Sequence, residues 1–210
     1  MRPSPLWTAI AALALSGCYS FSTLGRARTI DKGHFQVFAA PEAFVVASGS
    51  GGNVRPIAEA GVRYGLTDNI ELGGRLTTVG LTLGPRIQLR RSPHPTSGLD
   101  IAVAPAVAYT YPDKLALEAP VLLGLNLDRH QLVLAPRLVY QMRLDVPGQD
   151  VPVSFLYAGA SFGAALRVTE SVTVLPEIAL LGEVYADPGF SSNLARAMGL
   201  QGALGLLFDL

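Results

Sequence analysis

"IELGGRL" spans residues 70–76 and "LGPRIQLR" residues 83–90. In the first, Ile70, Leu72 and Leu76 fall on one face, and Glu71, Gly73 and Arg75 on the other. In the second, Leu83, Pro85, Ile87 and Leu89 oppose Gly84, Arg86, Gln88 and Arg90. A period of two is the mark of a strand with one apolar and one polar face. The same alternation recurs in about ten segments, near 34–46, 54–65, 70–77, 79–90, 99–110, 116–127, 131–143, 154–168, 171–182 and 198–210. Most are about ten residues long, the length a tilted strand needs to cross a bilayer.

The chemistry of the two faces decides what kind of β protein this is. A soluble barrel turns its apolar face inward, whereas a membrane barrel turns it toward lipid and keeps polar groups inside. The polar faces here set arginine and glutamate among glycine, alanine and serine, as a narrow lumen requires. Half of the residues are hydrophobic, only 15% are charged, and the formal net charge is zero. Soluble domains carry about 25% charged residues. Lysine occurs only at Lys32 and Lys114, against fourteen arginines. Arginine's planar fork suits paired interior sites, while a solvated surface would carry more lysine. The neutral balance argues against nucleic acid as a partner.

The connections alternate in length. Residues 66–69, 128–130 and 169–170 are tight turns, and residues 47–53, 144–152 and 183–197 are longer and rich in Gly, Pro, Asp and Ser. Transmembrane barrels have short periplasmic turns and longer external loops. With the C-terminus in the periplasm, the tight turns share that side, and Ser92–Gly98 is the one longer exception. The expected fold is therefore all-β: an antiparallel up-and-down transmembrane β-barrel of about ten strands (8–12), over residues 34–210.

"GVRYGLTDNIELGGRL" (61–76) resembles the strand-turn-strand unit of bacterial outer-membrane β-barrel proteins. "GLLFDL" (205–210) is similar to their C-terminal assembly signal, although Leu210 replaces the usual terminal aromatic. The resemblance implies an outer-membrane location, with outer-membrane lipid and the barrel assembly machinery as partners. It concerns an architecture and no specific family.

Before the barrel, Leu6–Leu15 is an uncharged apolar run behind Arg2, about half of a bilayer span, and reads as the core of a secretory signal. Leu15-Ser16-Gly17-Cys18 resembles the lipobox of bacterial lipoproteins, which implies a signal peptide over 1–17 and lipidation, as by palmitate, at Cys18. Tyr19 in place of an aspartate implies the outer membrane by the same resemblance. Residues 18–33 are then expected to be the lipidated N-terminus and a polar linker.

The inward set expected from the alternation is Glu59, Arg63, Glu71, Arg75, Arg86, Glu118, Arg137, Arg143, Arg167 and Glu177. Two readings stay open for it: a porin-like filter for an ion or anionic solute, or a salt-bridged filling that packs a small lumen. Gly159-Ala160-Ser161-Phe162-Gly163 has the G-x-S-x-G form of a hydrolase elbow. No histidine follows His130, and the segment alternates as a strand, so no enzyme is expected. His34, His94 and His130 lack a second ligand at metal spacing, and neither a metal nor another cofactor is expected.

Prolines recur inside the strands, at Pro41, Pro56, Pro85, Pro105, Pro120, Pro136 and Pro176. Proline normally belongs at edges or bulges, so these favour the alternative, a periplasm-facing β-rich lipoprotein that acts as a binding or assembly partner. The expected role of the first reading is structural, or limited solute or lipid passage.

Overall fold

The computed structural model describes residues 20, 22–48, 51–144, 152–187 and 198–210. The signal segment, Cys18 and most of the three longer loops lie outside the described residues. The strands are β1 (Phe35–Ser48), β2 (Gly51–Thr67), β3 (Ile70–Thr77), β4 (Gly80–Arg90), β5 (Ser97–Val103), β6 (Ala106–Thr110), β7 (Lys114–Leu127), β8 (His130–Arg143), β9 (Val153–Arg167), β10 (Val172–Ala186) and β11 (Met198–Asp209). β5 and β6 are two halves of one stave, so the sheet has ten staves. Each pairs antiparallel with its neighbours in sequence, and β1 pairs with β11 to close the barrel. Phe35 and Leu210 exchange backbone hydrogen bonds of 3.1 and 2.8 Å at the seam. The C-terminal motif is thus the last course of the wall.

The faces are those of a membrane barrel. Leu72, Leu76, Leu83, Leu89, Leu138, Phe162 and Ile178 stand exposed on the outside. The alternate positions Gln36, Glu59, Glu71, Arg86, Glu118, Arg137 and Glu177 are buried. Hydrocarbon in place of water outside makes this the favourable arrangement, since apolar side chains meet lipid while the closed ring pairs the strands' backbone with one another.

The strand prolines fit because the ladder opens beside them on one side only. Pro41 pairs with Ala58 of β2, but the β1–β11 register skips from Ala39↔Leu206 to Glu42↔Ala203. Pro85 pairs with Leu72, and Pro105 fills the break between β5 and β6 that faces it. Pro136 and Pro176 pair with Ala160 and Leu204, while the β7–β8 and β9–β10 registers skip at their other edges. Each missing N–H therefore falls at a local opening, as a bulge would provide. The prolines do not create the open edges that favoured the periplasmic alternative.

Two ends can be distinguished. The turn end carries the β2–β3, β7–β8 and β9–β10 turns, the start of β1 and the C-terminus. The loop end carries the long connections. In transmembrane barrels of this kind the short turns face the periplasm.

Candidate functional site: an occupied lumen

The segment expected to be a linker is inside the barrel. Residues 22–30 run through the lumen to the turn end, where residues 31–34 turn into β1. Ser20 lies at the depth of Glu42, halfway along β1, and its hydroxyl accepts a 3.1 Å bond from Gln201. The correction has a physical cause. Ten staves enclose more space than their own inward side chains fill, and a bent segment rich in small and polar residues fits the remainder.

Wall side chains hold this segment largely by its backbone. The Glu177 carboxylate accepts from Thr23 N at 2.7 Å, Leu24 N at 2.9 Å and the Thr23 hydroxyl at 3.0 Å. Gln131 Oε1 accepts from Ala27 N at 2.8 Å, Gln88 Oε1 from Thr29 N at 2.7 Å, and Glu71 Oε2 from Ile30 N at 2.9 Å. The carbonyls are met by arginines. Arg75 donates to Ser22 O, Arg63 to Leu24 O at 2.6 Å, Arg86 to Arg26 O at 2.8 Å, and Arg91 to Thr29 O at 3.2 Å. A buried main chain must find partners for these groups, and here side chains replace a neighbouring strand.

The side chains of the segment are held as well. Ser22 donates to Glu42 at 2.6 Å, Arg26 pairs with Asp209 at 2.9 Å, and Arg28 pairs with buried Asp100 at 3.1 Å. Leu24 is fully buried among Phe38, Ala40, Ala165, Leu175 and Leu207. Its φ of 36° is in the left-handed region that a leucine occupies only under constraint. Ala27 sits over Gly124, where an added Cβ would come within 2.6 Å of the Ala27 methyl. At Gly65 an added Cβ would come within 2.8 Å of the Ile30 carbonyl oxygen. Both wall glycines make room for the segment.

The charged set forms a network around it. Arg75 pairs with Glu118 at 2.6 Å and Glu59 at 3.6 Å, Arg86 with Glu71 at 3.2 Å, Arg63 with Glu71 at 3.8 Å, and Arg137 with Glu177 at 3.9 Å. Burial of such charges is tolerated because each has an opposite partner and hydrogen bonds. Two members of the expected set lie elsewhere. Arg143 is at the loop end, paired with Asp113 at 2.8 Å and partly exposed, and Arg167 is at the turn end, donating to Glu170 O at 2.6 Å. Each occupies a strand terminus, where alternation no longer says which way a long side chain turns.

Asp100, Gln88, Gln131, Gln201 and Glu42, absent from the expected inward set, also line the lumen. Glu42, like Arg86, Arg137 and Glu177, directly follows a strand proline, and that repeat was the available signal. A cavity of about 70 Å³ remains beside Ser22 and Thr23, between Arg63, Arg75, Arg86 and Glu118. It has room for a few waters, and Glu118 and Arg86, which line it, have Oε2 and Nε without a hydrogen-bond partner among the described residues.

Ser161 of the G-x-S-x-G match is a wall residue in mid-strand. It is buried, and its hydroxyl lies 3.1 Å from the Thr23 hydroxyl and accepts from Arg137 at 3.0 Å. No strand-to-helix turn exists there, and the serine has a structural partner on each side. Among the described residues no group of three or more His, Cys, Asp or Glu could hold a metal ion.

Neither a protein-family model nor a curated protein matches the chain. Among solved structures, the outer-membrane protease OmpT of Escherichia coli superposes with a TM-score of 0.50 at 8% identity, over 88% of this chain and 100% of that one. Neisserial surface protein A, NspA, gives a TM-score of 0.46 at 12% identity, over 83% and 96%. The translocator domain of the autotransporter NalP from Neisseria meningitidis gives 0.42 at 10% identity, over 97% and 94%. At such identities the likeness concerns the fold alone: the chain is a closed antiparallel β-barrel with the fold seen in outer-membrane proteins.

Proposed function

We propose that this chain is a non-enzymatic outer-membrane barrel, sealed by its own segment 20–34, with a structural role and at most limited passage of small solutes. The observation that carries this reading is the bonding of residues 22–30 to side chains around the whole wall. A conducting filter would leave Arg63, Arg75 and Arg86 facing water, whereas here they face backbone carbonyls. In planar bilayers the intact protein should show no discrete conductance steps. Regular steps from the unmodified chain would overturn the reading.

Lipidation at Cys18 belongs to this proposal in a restricted form. Only Tyr19 separates Cys18 from lumenal Ser20, at most about 7 Å of chain. Acyl chains on Cys18 would therefore reach the periplasmic leaflet only after the segment had left the lumen. Sealing by the segment and anchoring by a lipid in that leaflet are alternative states of one chain.

A further inference from the structure

We propose that the lumen is a binding site for a bent polypeptide segment, with residues 22–30 as the ligand it holds in cis. The inference rests on the sealed-lumen reading and adds what the lumen recognises. A segment that merely filled space could be held by apolar contact alone. Here wall acceptors meet the N–H groups of Thr23, Leu24, Ala27, Thr29 and Ile30. Wall arginines meet the carbonyls of Ser22, Thr23, Leu24, Arg26 and Thr29.

Main-chain bonding of this kind gives affinity to a peptide that can follow the same bent path, with a left-handed residue at the Leu24 position, and pockets for its side chains give selectivity. Three positions select. Leu24 fills the pocket formed by Phe38, Leu175 and Leu207. At Gly25 an added Cβ would come within 2.5 Å of Arg86 Nη2 and 3.1 Å of Arg63 Nη2, which would dislodge the guanidinium groups that hold the backbone. Ala27 is fully buried against Ala102, Leu122, Val133 and Ala135, where only a small side chain fits. The ligand class is thus a bent polypeptide segment in which those three positions read leucine, glycine and alanine, with the intervening Arg26 adding its pair to Asp209. A route in exists at the turn end, where a cavity of about 860 Å³ opens beside Arg28, His34, Arg91, Arg129 and Arg167. A peptide of the same pattern from another chain could use it when the resident segment withdraws.

The test uses the folded full chain. Lys114→Arg leaves Lys32, exposed in the turn before β1, as the one lysine. The folded protein is nicked there with a lysine-specific protease. It is then incubated with a hundredfold excess of a fluorescent peptide of residues 20–32. The expected result is saturable one-to-one uptake by the barrel. A peptide N-methylated at Leu24 and Ala27, which lacks two of the donors, should bind at least tenfold more weakly. So should a peptide carrying Leu24→Asp and Gly25→Val. The proposal is overturned if no peptide is taken up at any temperature below the loss of heat-modifiable gel migration, or if the N-methylated peptide binds as well as the parent. Conductance separates the two readings. A nicked barrel that opens to ions but takes no peptide removes the binding site and leaves the seal. An intact protein that already conducts removes the seal.

Discussion

Leu24 is where docking of the lumenal segment can be weighed most cleanly. Its side chain is fully buried in a cluster contributed by the wall. Leu24→Ala deletes that packing while the hydrogen bonds of Leu24 N to Glu177 and of Arg63 to Leu24 O survive. Large-to-small changes at such sites cost about 2–5 kcal/mol. At about 1.4 kcal/mol per tenfold, the docking equilibrium constant should fall roughly 30-fold to a few thousand-fold. Glycine reverses the usual order. Elsewhere glycine is about 0.5–1 kcal/mol worse than alanine, but a left-handed φ costs a residue with a Cβ about 1–2 kcal/mol. With φ at 36°, Leu24→Gly should dock at least as well as Leu24→Ala. Amide exchange at Ala27, Thr29 and Ile30, away from the substitution, reads the equilibrium. Alanine protection equal to wild type, or glycine protection tenfold below alanine, would refute the reasoning.

Other perturbations separate segment from wall. Gly124→Leu places a side chain where the Ala27 methyl sits, so planar bilayers should show conductance steps while gel migration stays heat-modifiable. Glu71→Gln should weaken wall and segment docking together, because Arg63 and Arg86 both pair with this carboxylate and Ile30 N donates to it. Breaking a buried pair costs about 3–5 kcal/mol, to be read as a lower urea midpoint for loss of heat-modifiable migration. Metabolic acyl labelling should be lost in Cys18→Ser. The labelled wild-type fraction should show unprotected amides at residues 23–30, and protection in that fraction would contradict the exclusion of sealing by anchoring.

The wall was legible in the sequence because a bilayer imposes a strict rule on it. Every second residue must be apolar over about ten positions, and Ile70–Leu76 or Gln131–Arg143 obey it without help from context. The prolines misled, since alternation does not show that ladder openings coincide with them. The segment 20–34 was missed for another reason. Its structure has no period of its own: each backbone group takes its partner from a different strand, such as Glu177, Gln131 and Gln88, more than fifty residues away in sequence. A polar, glycine-containing stretch reads as a linker unless the lumen that receives it is known. Arg143 and Arg167 show the same limit at smaller scale, because a rule for strand interiors was applied at strand ends.

The most direct test is nuclear magnetic resonance of the full chain in detergent micelles. Cross-relaxation should connect the Ala27 methyl to the Gly124 α-protons, and the Leu24 methyls to the Phe38 ring and the Leu207 methyls. Random-coil shifts for residues 22–30, with no contact to these wall protons, would contradict a barrel sealed by its own chain.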